Sequence, residues 1–277
     1  MRRRGRRTLQ LAALIVLLSF LILPIYWMAV TSLKPNEAAF KVPPALVPAH
    51  PTLANYASQL TDTGGFLTFF KNSVIVSSAT TVVTIAAAVL AGYAFSRYRF
   101  PGRRYLLIAI LASQMFPLTL LIVGMYGFFR RLGILDTYQG LVLGFTAFSL
   151  PFSIWMMDGF FRTVPRELEE AAMTEGSSRL GALWRVILPL TKPGVIAVGV
   201  FSFLNSWNNL LFSLSLTSSQ GMRPIPPGFL LTYVSEFQYY WSNAMAGSIV
   251  VTLPMIAVFI FLQRYLVQGL TAGAVKG

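Results

Sequence analysis

Cysteine is absent from the chain, and histidine occurs once, at His50. Without thiols there can be no disulfide, thiolate metal site or cysteine nucleophile. The lone histidine follows the Pro-rich stretch Val42-Pro43-Pro44 and sits between Pro48 and Pro51, so it reads as a loop residue and not as a metal ligand or proton relay. Charge is also scarce: 11% of residues are Asp, Glu, Lys or Arg, and only nine are acidic, whereas a soluble domain carries about a quarter. The apolar runs hold no cluster of His, Asp, Glu or Cys from which an enzyme site could be assembled. No lysine follows a glycine, because Lys34, Lys41, Lys71, Lys192 and Lys276 are preceded by Leu, Phe, Phe, Thr and Val. The Gly-Lys-Ser/Thr phosphate loop is therefore excluded, and any ATP must be bound and hydrolysed by another chain.

What fills the sequence instead is apolar residue, 55% of 277. A helical span needs roughly 20 predominantly apolar residues, and six stretches qualify: about Leu9 to Val30, Ser73 to Phe95, Tyr105 to Phe129, Gly140 to Phe161, Gly194 to Leu216 and Ala244 to Leu262. The fold class expected is an all-α integral membrane protein, one domain of six transmembrane helices over residues 1–277. The basic start, Arg2 to Arg7 before an apolar run, is like a signal peptide, but the run reaches Val30. A cleavable apolar region is about 7 to 15 residues long, so an uncleaved first span is expected. Pro24, Pro117, Pro151 and Pro254 fall inside the spans and predict kinks, tolerated where neighbouring helices satisfy the freed backbone groups.

The net charge of +13 does not point to nucleic acid, because the basic residues gather at the ends of apolar runs. Cytoplasmic loops carry the Lys/Arg excess. With the N-terminus inside, 16 of the 22 basic residues lie on that side and 6 on the other, which predicts that both termini are cytoplasmic. The stretches from Lys34 to Phe66 and from Thr217 to Asn243 are then external and available to an external partner. A structured segment, residues 162–192, lies inside.

In that segment Pro165 suits the first turn of a helix, with Glu167, Glu169 and Glu170 near its positive end. Gly176 stops the helix, because glycine enters the left-handed conformation cheaply. Ser177 and Ser178 can cap a second helix, in which Leu180, Leu183, Trp184, Ile187 and Leu188 repeat at the spacing of one apolar face. Leu168, Ala171 and Ala172 share a face of the first helix, and the two alanines leave room for another backbone. A helix-turn-helix with a shallow apolar surface is expected.

Glu170-Ala171-Ala172, three residues, Gly176, then Ile187-Leu188-Pro189 resembles the cytoplasmic signature of the permease subunits of ABC importers, with Glu175 where that family usually has Asp. Leu150-Pro151-Phe152, Gly159-Phe160-Phe161, Trp207-Asn208-Asn209 and the end Gly273-Ala274-Val275-Lys276-Gly277 resemble its carbohydrate-uptake branch, typified by the second permease of the maltose importer. The resemblance spans nearly the whole length. It implies a type I importer fold in the bacterial inner membrane and a non-catalytic subunit that moves a sugar by alternating access. It implies as partners a second permease, two cytoplasmic ATPases that carry the ATP and Mg, an extracytoplasmic sugar-binding protein and the surrounding lipid. No cofactor or metal is expected on this chain.

The resemblance further implies that Glu170, Ala171, Ala172, Glu175, Gly176, Ile187, Leu188 and Pro189 dock the ATPase, and that the tail over residues 267–277 reaches between the ATPase subunits. Gln114, Asn205, Trp207, Asn208 and Asn209 are candidates for the cargo path, as hydrogen-bonding and ring-stacking groups or as helix-to-helix contacts. A glycerol-phosphate-type cargo is the alternative within the family. An ion-coupled secondary transporter is the alternative outside it, and it would carry intramembrane ionisable groups; the expected spans hold only Asp158, near a cytoplasmic end.

Overall fold

The structure, a computed structural model, describes residues 2–61, 65–233 and 240–274. Among these every regular element is helical: α1 (Arg2–Ser32), α2 (Ala54–Leu60), α3 (Phe66–Arg97), α4 (Arg103–Ala112), α5 (Leu118–Leu132), α6 (Tyr138–Arg162), α7 (Arg166–Thr174), α8 (Arg179–Ala182), α9 (Leu188–Leu190), α10 (Lys192–Trp207), α11 (Leu210–Leu216), α12 (Ile225–Tyr233) and α13 (Trp241–Ala274). A π-helical turn, Leu183–Ile187, joins α8 to α9. The all-helical expectation therefore holds. In α1, α3, α6 and α13 a single helix is long and apolar enough to cross a bilayer, and two bent helix pairs bring the number of spans to as many as six.

Two of the expected spans are not single helices. The third breaks between α4 and α5, where Arg103–Met115 and Leu118–Leu132 meet at 98°. Pro117 causes the break: it offers no N–H to the preceding turn and forces Phe116 into extended backbone at φ −70, ψ 137. Pro24, Pro151 and Pro254, by contrast, lie within continuous helices. The fifth expected span is interrupted at Asn208–Asn209. There Asn209 leaves the helical conformation and its side chain accepts from the Phe212 amide, capping α11.

The chain divides into two compact units. In the first, residues 1–67 with 228–253, polar side chains fasten the segments after α1 to the start of α13. Asn55 donates to the carbonyls of Ser32 and Lys34 at 2.7 and 2.8 Å, Tyr233 donates to Gln59 at 2.6 Å, and Asn243 donates to Ser58 at 2.7 Å. Along α1 the apolar side chains from Leu9 to Ile25 are exposed, a surface suited to lipid and not to water.

The second unit, residues 68–227 with 254–277, holds two apolar clusters. One joins Ala88, Val89 and Tyr93 of α3 to Ile154, Met157 and Phe161 of α6, Val198 of α10, and Leu183 and Ile187 of the π turn. The other joins Val76 to Ile122, Phe129, Leu141, Phe145, Phe212 and Leu216. Asp158, expected near a helix end, directly follows Met157 of the first cluster in α6. It is 4% exposed and held by Arg162 at 2.8 Å, one helical turn away.

Candidate functional site

Residues 162–192 form the most structured connection in the second unit, and local chemistry accounts for their shape. Pro165 stands at the cap of α7, immediately before its first helical residue. At the other end the Gly176 amide bonds the Met173 carbonyl at 3.0 Å and the Ser177 amide bonds the Ala172 carbonyl at 2.9 Å. These are the two bonds of a Schellman motif, whose left-handed position Gly176 fills at φ +94. Ser178 then caps α8 by accepting from the Gly181 amide at 3.1 Å.

Pro189 accounts for the π turn that follows. Its ring supplies no N–H for the Arg185 carbonyl and crowds it, and the Leu188 amide reaches back five residues to Leu183 instead. Thr191 then donates its hydroxyl to the Ile187 carbonyl at 2.9 Å and α10 begins with Pro193 in its first turn.

The expected apolar face of the second helix is divided. Leu183 and Ile187 are fully buried in the cluster shared with α3 and α6, whereas Leu180 and Trp184 are 58% and 62% exposed. The π turn is the physical reason, because it shifts the angular register that a uniform helix would keep. Leu168 and Ala171 of α7 are exposed as well, and so is Glu170. The hairpin thus has an anchored side and an open side. Its exposed residues include Leu168, Glu170, Ala171, Glu175, Leu180 and Trp184, with Ala172 half-buried.

On the anchored side lies a polar joint that the sequence did not disclose. Glu169 is buried, and one carboxylate oxygen lies 2.9 Å from Nε of Arg97, at the end of α3, in an ion pair. The other oxygen accepts from the Tyr93 hydroxyl. Arg97 also donates to the Val164 carbonyl at 3.0 Å, and Arg166 returns the contact by donating to the Ser96 carbonyl at 3.2 Å. Each segment therefore lends an arginine to carbonyls at the end of the other. The Arg179 guanidinium lies over the Tyr98 ring at 5.2 Å, a further cation–π contact. Removing one partner of such a buried pair typically costs about 3–5 kcal/mol. The available signal was the spacing of Tyr93 and Arg97, four residues apart on one helical face at the end of an apolar run.

Most of the cargo-path candidates are engaged in local contacts. Gln114 lines a cavity of about 340 Å³ with Phe116, Met125, Phe148 and Phe212, and donates to the Phe148 carbonyl at 2.8 Å. Trp207 is 1% exposed, stacked on Phe203 at 5.3 Å and edge-on to Phe70 at 5.9 Å, so its ring is occupied by packing. Asn208 bonds the Leu204 carbonyl at the end of α10, Asn209 caps α11, and Asn205 is half-buried. Of the tail, Gly273 and Ala274 close α13, while Val275, Lys276 and Gly277 lie outside the described residues. No group of three or more potential metal ligands occurs among the described residues.

The chain is similar to known proteins over nearly its full length. Residues 84–272 fit the family of binding-protein-dependent transport system inner membrane components. The trehalose/maltose transport system permease protein of Thermococcus litoralis is 35% identical over 273 residues, 98% of each chain. The sulfoquinovosyl glycerol transport system permease protein of Agrobacterium fabrum is 39% identical over 96% of this chain and 93% of its own. A chain of a bacterial ABC transporter involved in the import of alginate shares the fold, with a TM-score of 0.81 at 24% identity over 95% of this chain and 97% of its own. The family match covers the first cluster, all of the second except Val76, and the whole of residues 162–192, and the relatives extend it to nearly the full chain: the protein belongs to the binding-protein-dependent transport system inner membrane components, the permeases of ABC transporters.

Proposed function

We propose that the chain is the translocating subunit of an ATP-driven sugar importer and that the open side of the 162–192 hairpin is where a cytoplasmic ATPase docks. The observation that carries the reading is the division of that hairpin: Leu183, Ile187 and Glu169 are buried, while Glu170, Leu168, Leu180 and Trp184 are each exposed. A short, doubly capped hairpin that exposes both a carboxylate and large apolar side chains suits a partner surface with a basic residue and an apolar patch. Ala171 and Ala172 admit close approach. The excess of basic residues supports a cytoplasmic location for the hairpin and for both termini.

In this reading the chain pairs with a second permease, and the two engage two ATPases that bind and hydrolyse ATP with Mg. An external binding protein delivers the cargo. Closure of the ATPases moves the hairpin, and the hairpin moves α6 and α10, which flank it, so that the pathway opens alternately to each side. The cargo is a sugar or glycoside, the class named in relatives that match over nearly the full chain. The tail over residues 267–277 adds a second contact with the ATPases.

The test is reconstitution in liposomes with a partner permease, ATPases and a binding protein from the same organism. Sugar should accumulate only when ATP and the binding protein are both supplied. Glu170→Arg and Ala172→Trp should each abolish ATPase copurification and uptake while leaving the amount of inserted permease unchanged. Uptake without an ATPase, or normal uptake in both variants, would overturn the proposal.

A further inference from the structure

Movement of the 162–192 hairpin has two covalent outlets, α6 before it and α10 after it. A third connection is non-covalent, and its construction is unusual for a membrane protein. Arg97 and Glu169 are both buried, and their side chains retain 5% and 7% of their exposure. Charges this far from water are tolerated when paired and hydrogen-bonded. Tyr93 supplies a donor to Glu169, and the Val164 carbonyl takes a donor from Arg97. Two reciprocal arginine-to-carbonyl bonds, at Val164 and Ser96, close the same gap from both sides. A contact needed only for folding could be made by apolar side chains at no desolvation cost. Here the ion pair sets a distance, without a hydrogen bond from Arg97 Nε, and the bonds from Tyr93, Arg97 and Arg166 set the direction between the end of α3 and the start of α7.

We propose that Arg97, Glu169 and Tyr93 form a rigid joint that makes α3 a third lever of the hairpin, so that force on the hairpin turns α3 together with α6 and α10. The proposal rests on the reading of the hairpin as ATPase-driven and adds a path for the motion. Arg97, Glu169 and Tyr93 are positioning residues: they are buried, whereas Glu170 is exposed, and they leave the docking surface untouched. Without the joint the ATPase would still bind and cycle, but α3 would lag behind the hairpin and ATP would be hydrolysed without matching transport.

The absence of native cysteine makes the test direct. In the reconstituted complex, spin labels at Arg99→Cys and Arg185→Cys report the distance across the joint, and labels at Arg131→Cys and Arg185→Cys report whether the hairpin moves at all. The expected result is a 99–185 distance that stays single and constant through the ATP cycle while the 131–185 distance shifts. In Arg97→Met the 99–185 distribution should broaden and sugar moved per ATP should fall tenfold or more, with ATPase copurification and hydrolysis retained. Tyr93→Phe should give a smaller fall, and the exchanged pair Arg97→Glu with Glu169→Arg should recover part of the loss. A 99–185 distance that shifts with ATP in the otherwise unaltered chain, or unchanged sugar per ATP in Arg97→Met, would overturn the joint alone. Failure of the unaltered permease to retain the ATPase would overturn the docking reading as well. Should Arg97→Met fail to insert, the distance measurement and Tyr93→Phe decide the matter without it.

Discussion

A Cβ placed on Gly92 would stand 2.6 Å from the Cβ of Met157 and 3.0 Å from the Asp158 amide nitrogen. At this point α3 and α6 approach backbone to backbone, which only a residue without a side chain allows. Small residues at close crossings are the usual means of packing helices in lipid, where apolar burial drives association weakly. Forcing one methyl into the crossing should cost about 1–3 kcal/mol, the usual penalty for overpacking. Gly92→Ala should therefore lower the unfolding temperature of the detergent-solubilised complex, and Gly92→Leu should prevent its recovery. An unchanged melting temperature in Gly92→Ala would show that the two helices separate without cost.

Gly176 is a glycine for a different reason. Nothing lies within 4 Å of a Cβ built on it, but its φ is +94. Substitution there meets backbone strain and no steric obstacle, so the penalty should be about 1–2 kcal/mol for an L-residue and independent of side-chain size. Gly176→Ala and Gly176→Leu should loosen the hairpin equally, with Gly176→Asn milder because asparagine tolerates this region. Amide exchange of residues 172–178 measures the effect. A graded loss from Ala to Leu would mean that the position is crowded after all.

How much of this was legible in the sequence differs by kind of interaction. Local signals were read correctly where the cause is local: the stop at Gly176, the cap at Ser178 and the all-helical character each follow from residue type and spacing. The breaks at Phe116 and Asn208 were less legible. A proline within an apolar run permits either a kink, as at Pro151, or a break, as at Pro117, and the surrounding packing chooses between them. The division of the second hairpin face was hidden because the π turn before Pro189 changes the period that the pattern assumed. Glu169 was read as a first-turn acid beside Glu170, since nothing in the order of residues says which of two adjacent carboxylates faces inward. Its partners Tyr93 and Arg97 lie more than seventy positions earlier, and only the fold brings them together.

Asp136, between α5 and α6, carries the structure's clearest pH dependence. Its Oδ1 accepts from the amides of Ser218 and Ser219 at 2.9 and 3.2 Å. Burial by itself raises its pKa and is the largest single influence, but the hydrogen bonds from Ser219 and Ser218 together outweigh it and leave the carboxyl below its ordinary value. A folded pKa below the unfolded one means that the stabilisation is fully present above the unfolded value, about 3.9, and is lost as pH falls through the folded one. Relative to the intrinsic exchange rate at each pH, the protection of the Ser218 and Ser219 amides should therefore be full at neutral pH and fall as the carboxyl is protonated. Asp136→Asn keeps an acceptor and tolerates the positive φ of this position, so it should abolish the pH dependence while retaining part of the protection. Asp136→Ala should lose both. Equal protection in all three proteins would show that the segment after α11 is held by other means.

Trp207 separates packing from cargo recognition. Stacked on Phe203 and 1% exposed, it presents no ring face to a sugar, and its indole N–H has no hydrogen-bond partner. A tryptophan kept for its ring volume can give way to phenylalanine, which preserves the stacking and removes a buried donor whose desolvation is uncompensated. Trp207→Phe should therefore transport at close to the original rate with stability little changed. Trp207→Ala should lose about 3–5 kcal/mol through the cavity it leaves, seen as a lower melting temperature of the complex. A ring that met the cargo would give a different pattern, with Trp207→Phe as stable as the original protein but with its apparent affinity for sugar weakened. Melting and uptake measured on the same two variants distinguish the cases, and a stable, transport-deficient Trp207→Phe would return this residue to the cargo path.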